Sequence, residues 1–326
     1  MKVCIVGAGA IGGWIGTRLA AAGHAQVSAY ARRDTLDALR THGWRLLGNG
    51  VLTQVPTNAD DDAVRLGVQD VVVIAVKGPA LRQVASQIAP LIGPQTLVVP
   101  AMNGVPWWFC HGLDGFGNQP LASVDPGGDI AAAIPFEQVI GCVVHVSATV
   151  PEPGLVEHKM GNQLIIGEPF GGVTERVRRL QALLADAGID AVASENIRQD
   201  VWFKLWGNLT MNPVSAITGA TTDRILGDPL VRAFCSAAMA EAARIGEKIG
   251  CRIEQSPDDR HAITAKIGAF RTSMLQDVDA GRAIELDAIV GAVHEIGRTL
   301  DRPCPNIDAL FGLTRLFGRV HGLYQQ

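Results

Sequence analysis

The chain has 326 residues, 48% apolar and 18% charged, with a formal net charge of −4. That length accommodates two domains with cores of their own, the weakly acidic balance leaves no basic surplus for nucleic acid, and no uninterrupted apolar run reaches the roughly 20 residues of a membrane-spanning helix. The six cysteines (Cys4, Cys110, Cys142, Cys235, Cys251, Cys304) lie far apart, with no C-x-x-C pair and no histidine at metal-ligand spacing, so reduced thiols in a cytoplasmic protein are expected, and no metal.

The opening stretch, Lys2–Val6, is a short apolar strand. It runs into Gly7-Ala8-Gly9-Ala10-Ile11-Gly12 and then a helical pattern over Ile11–Ala22. G-x-G-x-x-G on a strand-to-helix turn is a phosphate cradle. Gly7 permits the tight turn, Gly9 lets the backbone approach a pyrophosphate, and Gly12 lets the helix pack closely on the strand. Those glycines also break the apolar segment that would otherwise resemble a secretory leader, so it is expected to be mature structure. Val27–Tyr30 supplies the second strand of a βαβ unit. At its end, where NAD-selective sites place Asp or Glu, stand Ala31, Arg32 and Arg33. Guanidinium groups pair with a 2′-phosphate, so NADP(H) is expected, with Arg32 the stronger partner; Asp34 could accept a ribose hydroxyl or cap the next helix.

Farther along, Trp44–Leu47 and Val51–Val55 flank Gly48-Asn49-Gly50 as a small hairpin. Val71–Val76 is a continuous run ending at Lys77, at the carboxyl edge of a buried parallel strand where ligands of open α/β sheets bind. A helix at Leu81–Ile92 precedes strand Thr96–Val99. Asn103, on the same edge, can donate and accept at once, which suits it to hold a nicotinamide or ribose or to orient a lysine. Val105–Pro135 is irregular, carries Trp107, Trp108, Phe109 and Phe116, and is expected to border the active cleft. Val139–Thr149, Gly154–Met160 and Gln163–Gly167 read as antiparallel strands added to the sheet, with turns at Pro151–Gly154 and Gly161-Asn162. A helix over Thr174–Ala187 closes the first domain.

Beyond Asn196 the pattern is helical: Ile197–Asn212, Pro229–Ile249, Pro257–Asp279, Ile284–Leu300 and Pro303–Gly322. The first of these carries Lys204, Asn208 and Asn212 at four-residue intervals, on one face of a helix otherwise rich in Trp, Phe and Leu. Amides in such a setting are costly unless they find partners, so the stripe reads as a substrate face. Ser273 offers a rotatable hydroxyl. Glu285, between two apolar residues at a helix start, is either a ligand-facing carboxylate or a charge favoured by the helix dipole.

In their order along nearly the whole chain, the glycine motif, Lys77, Asn103-Gly104, the Lys204/Asn208/Asn212 stripe, Thr272–Asp277 and Glu285 resemble the ketopantoate reductase (2-dehydropantoate 2-reductase) family. The resemblance implies an α/β fold: an N-terminal Rossmann-type doubly wound sheet that binds NADPH (residues 1–195), followed by an all-helical C-terminal substrate domain (196–326). It further implies reduction of a small-molecule 2-keto acid in a cleft between the domains, in pantothenate biosynthesis. Lys204 matches the family's catalytic lysine. Asn208, Asn212, Ser273 and Glu285 match its substrate-binding residues, Glu285 being expected to act with Lys204 as a catalytic residue by fixing a substrate hydroxyl or the lysine, and Asn103 matches the asparagine near cofactor and lysine. Two features depart from the pattern: Phe270 where an asparagine is usual, and the tryptophan-rich loop. Both point to a bulkier or less polar keto acid. A non-catalytic NADP sensor and a β-hydroxyacid dehydrogenase remain as alternatives, and the helical domain could support a homodimer.

Overall fold

The structure, a computed structural model, describes residues 1–324. The chain forms two compact units. The first comprises Met1–Met102 and Asp129–Asp200, the second Asn103–Gly128 and Val201 onward.

The first unit is built on two sheets. Strands β1 (Lys2–Val6), β2 (Gln26–Tyr30), β5 (Asn58–Asp60), β6 (Gln69–Ile74) and β7 (Ile92–Pro100) pair in parallel in the order β5-β2-β1-β6-β7. Helices α1 (Ala10–Ala22), α2 (Arg33–His42), α3 (Ala63–Leu66) and α4 (Gly78–Gln87) connect them. The β-branched run Val71–Ile74 is buried throughout, as expected of a strand covered on both faces.

The remaining strands form a second sheet, a correction to the expectation that they extend the first. Here β3 (Trp44–Gly48) and β4 (Val51–Val55) make the foreseen hairpin, but β3 then pairs in parallel with β9 (Leu155–Gly167), which also pairs with β8 (Gly141–Glu152) and β10 (Asp190–Ser194). The foreseen turn at Gly161-Asn162 is a bulge inside β9. The pairing shifts between His145↔Gln163 and Ser147↔Met160, and Gly161 takes φ +77°, where a Cβ would lie 2.2 Å from the His145 carbonyl oxygen.

Helix α1 explains how two sheets share one core. It is apolar nearly all round, the signature of a helix buried on more than one side. It packs on β1 and β2 of one sheet and on β3, β4, β8 and β9 of the other. Gly13 and Gly16 make this possible: Cβ atoms there would lie 2.5 Å from Val156 Cγ2 and 2.6 Å from the Trp44 ring. Helices α5 (Asp129–Ala133) and α6 (Glu175–Asp186, capped by the Thr174 hydroxyl) complete the unit.

Helices dominate the second unit: α8 (Thr222–Gly227), α9 (Pro229–Lys248), α10 (Pro257–Ala265), α11 (Ser273–Asp279), α12 (Ala292–Thr299) and α13 (Pro305–Val320). Before them, α7 (Ile197–Thr218) starts within the first unit's residues and runs through Pro213 past its expected end at Asn212. The helix expected over Pro257–Asp279 is broken. Gly268 adopts φ +76°, and the Thr222 hydroxyl donates to its carbonyl while the Phe270 N–H donates to that same hydroxyl, so the chain leaves the helix until Thr272 caps α11. The helix expected from Ile284 begins instead with a π turn, Asp287–Gly291, leading into α12.

The division between units also differs from a single cut after residue 195. Segment 103–128 belongs with the helices because its bonds go there. The Val105 N–H donates to Ala288 O, Phe109 stacks on Trp202 at 5.9 Å, and the Ala122 and Ser123 N–H groups donate to the Glu295 carboxylate.

Candidate active site

At the carboxyl end of β1 the three motif glycines are each confined differently. Gly7 takes φ +90°, and a Cβ there would lie 2.6 Å from Val76 Cγ1. Gly12 would place a Cβ 2.1 Å from the Gly7 carbonyl oxygen and 3.0 Å from Ile5, so only a hydrogen lets α1 approach β1 this closely. Gly9, the N-cap of α1, has nothing within 4 Å of its Cβ position. Its open side faces where the first-turn N–H groups, together with Ala8, Ala10 and Ile11, leave donors for an anion.

A cavity of about 410 Å³ opens over this turn, lined by Gly7, Ala8, Gly9, Tyr30, Arg32 and Arg33 among others. Arg32 is the N-cap of α2, and Arg33 adopts φ +53°, a left-handed conformation costing an L-residue about 1–2 kcal/mol. Both arginines are exposed. The nearby Asp60 is already engaged: the Asp62 N–H and the guanidinium groups of Arg65 and Arg40 hold its carboxyl below the usual range. Asp34 does not cap α2, since its place is inside the first turn. Lys77, half-buried, is the N-cap of α4, directly after Val76 of the same cavity wall.

In the second unit, Lys204 Nζ donates to Asn103 Oδ1 at 2.9 Å. Two residues 101 apart in sequence are thus brought together, because Asn103 begins the segment that packs on the helices. Asn208 and Asn212 continue the Lys204 face of α7. Asn212 is 5% exposed, yet its Nδ2 has no hydrogen-bond partner. The other side of α7 is core: Trp202 stacks on Phe109 and Trp206 Nε1 donates to Met239 O at 2.8 Å. Lys204, Asn208 and Glu285 are half-buried, Glu285 lying two residues ahead of the π turn whose Ala288 carbonyl accepts from the Val105 N–H, two residues after Asn103. Within that turn, burial raises the Asp287 pKa despite the hydroxyl hydrogen bond from Tyr324 at 2.7 Å. Ser273 is exposed at the start of α11.

Of the four aromatic residues named in the tryptophan loop, Phe116 is half-buried and the other three are core. Trp107, Trp108 and Phe109 are at most 4% exposed and pack as core, so they do not supply apolar surface to a ligand. Sequence reasoning missed Glu295, whose carboxylate pins that loop through two N–H groups at 2.7 and 2.8 Å. A helix-borne glutamate is too ordinary a signal to reveal this. His294, Cys304 and Asp308 also converge unforeseen, within 4.8 Å, and satisfy one another: His294 Nδ1 lies 2.7 Å from Asp308 Oδ1 and the Cys304 thiol donates to the same oxygen.

A glycine-rich strand-to-helix turn on a parallel sheet, joined in one chain to a helix that presents a lysine among amides, has the form of an oxidoreductase that takes a nicotinamide cofactor. The comparisons narrow the class. Residues 3–170 match the family model "Ketopantoate reductase PanE/ApbA" and residues 196–317 its C-terminal counterpart, "Ketopantoate reductase PanE/ApbA C terminal". The chain belongs to the ketopantoate reductase family. It is 43% identical to the 2-dehydropantoate 2-reductase of Mesorhizobium japonicum, over 99% of this chain and 100% of that one. A crystal structure from Ralstonia solanacearum MolK2, provisionally described as a ketopantoate reductase, is 54% identical with a TM-score of 0.95, covering 99% of each chain. The fold is shared more widely: a D-mandelate dehydrogenase solved with NADH and anilino(oxo)acetate is 20% identical with a TM-score of 0.85, over 99% of this chain and 100% of that one. Among the described residues no helix is long and apolar enough to cross a membrane.

Proposed function

We propose that the protein is an NADPH-dependent 2-dehydropantoate 2-reductase, reducing ketopantoate to pantoate as a step of pantothenate biosynthesis. The observation that carries this reading is Lys204, its ammonium held 2.9 Å from Asn103 Oδ1, on a helix face shared with Asn212, whose buried amide has no partner in the protein. A buried amide nitrogen that folding leaves without a partner is open to a polar ligand.

The cradle fits the cofactor. Gly9 leaves open the space a Cβ would fill, Gly7 through Gly12 would hold the pyrophosphate, and Arg32 would pair with the 2′-phosphate, favouring NADPH over NADH. When bound, the cofactor supplies a hydride to C2 of the keto acid. Lys204 donates to the carbonyl oxygen, stabilises the charge that develops there and delivers the proton as general acid. Asn103 accepts from the same ammonium and fixes its direction. Asn208 and Asn212 hold the substrate's hydroxyl and carboxylate, Ser273 adds a donor, and Glu285 fixes a substrate hydroxyl or the lysine.

A second reading, a bulkier keto acid, retains one support, Phe270, since the tryptophans are core. The test is oxidation of NADPH at 340 nm with ketopantoate and a panel of larger 2-keto acids, beside a Lys204→Ala variant. Ketopantoate should give the highest kcat/KM, and Lys204→Ala should lower kcat by about 10²–10⁴-fold with NADPH binding unchanged. Tight NADPH binding without turnover of any keto acid would instead make the chain a sensor.

A further inference from the structure

Beside the lysine face of α7 lies a guanidinium with no anion to meet. Arg260, on α10, rests against α7 at Gly207: a Cβ on Gly207 would lie 2.5 Å from Arg260 Nη2 and 2.6 Å from Nε. The guanidinium carbon stands 5.3 Å from the centre of the Phe203 ring. Glycine at 207 is therefore what lets the charge lie on the helix surface. Among the described residues no carboxylate pairs with Arg260, and its Nε is buried without a hydrogen-bond partner. Burial alone pulls its pKa below the usual value, with no neighbouring charge contributing. Arginines withdrawn from water are ordinarily paired, because an uncompensated charge is expensive to desolvate.

Position says what the missing anion is. Gly207 follows Lys204 by three residues and precedes Asn208 by one, so it adjoins both on the helix surface, and the guanidinium resting on Gly207 borders the face these two share. In a 2-keto acid the carboxylate carbon is bonded directly to the keto carbon. A substrate whose carbonyl oxygen meets Lys204 must therefore put its carboxylate on the same small patch. We propose that Arg260 binds the substrate's carboxylate through its forked N–H donors and restricts the site to free 2-keto acids over their esters. The assignment rests on the reductase reading above, and it adds a cation to the amides and hydroxyl already expected to contact the substrate. A planar guanidinium suits a carboxylate bidentately, which a lysine at 260 would not.

The experiment compares ketopantoate with its uncharged lactone as substrates at saturating NADPH, in the wild type, Arg260→Met and Arg260→Lys. Methionine keeps apolar bulk against Phe203. Arg260→Met should raise KM for ketopantoate about 10- to 100-fold with a smaller change in kcat, and leave kcat/KM for the lactone within about threefold. Arg260→Lys should fall between. Should Arg260→Met fail to fold, Arg260→Gln carries the same comparison. Acid and lactone falling together would make Arg260 a clamp between α10 and α7, and an unchanged KM for the acid would remove it from the site; either overturns the inference while leaving the reductase reading intact. A wild type that reduces neither compound nor any other 2-keto acid overturns that reading, and the inference with it.

Discussion

The glycine turn of the first unit and the α7 face of the second are assembled by opposite means. At residues 7–12 the parts proposed to hold the cofactor are absences: Gly7, Gly9 and Gly12 carry no side chain, and the groups left over are backbone donors. On α7 the parts proposed to meet the substrate are side chains, Lys204, Asn208 and Asn212, set into a helix whose remaining surface is packed with Trp202, Trp206 and Leu209. At Gly7 and Gly12 the backbone tolerates no added atom, whereas a face of side chains tolerates substitution of shape and loses only chemistry. The first should fail through structure, the second through rate and affinity with the fold intact.

The largest effect expected from that contrast is at Gly12. Gly12→Val must place atoms where the Gly7 carbonyl oxygen stands, 2.1 Å from the Cβ position, and backbone cannot yield as a flexible side chain can. Fluorescence titration should find NADPH affinity lowered by more than about 100-fold, with a melting temperature depressed by several degrees, since an overpacked site costs about 1–3 kcal/mol. Wild-type affinity in this variant would break the comparison outright. Arg32→Ala sharpens it, being a side-chain contribution within the backbone site: KM for NADPH should rise about 10-fold while KM for NADH stays level, because only the 2′-phosphate is lost as a partner.

Smallest in energy, and opposite in sign, is Asn212→Leu. Removing a buried amide with an unpartnered Nδ2 should stabilise the ligand-free protein by about 1 kcal/mol, read as a raised melting temperature, while KM for the keto acid increases. A lower melting temperature would mean that the asparagine serves the fold and not the ligand.

Much of this was legible in the chain, for reasons that differ by residue. The G-x-G-x-x-G turn is a contiguous motif, and its constraints act over a dozen residues, so the order of β1, α1 and β2 could be read directly. The α7 stripe is equally local, a matter of four-residue spacing. Arg260 was invisible, because its significance depends on Gly207, 53 positions earlier, having no side chain. The core role of Trp107, Trp108 and Phe109 was misread for a related reason: an aromatic-rich loop with no period carries no sign of which surface it will cover.

By itself, then, the sequence determined the elements with a local period or a contiguous motif: the parallel β/α opening, the helical second half, the phosphate turn and the polar stripe on α7. Only the tertiary structure decided that β3 pairs with β9, more than 100 residues on, in a second sheet whose edge is β4, that segment 103–128 joins the helices, and that Asn103 meets Lys204. The physical reason is that backbone propensity and hydrophobic period act over a few residues. Strand partners and side-chain contacts across a hundred are selected by how the whole core packs, and no window of the chain contains that information.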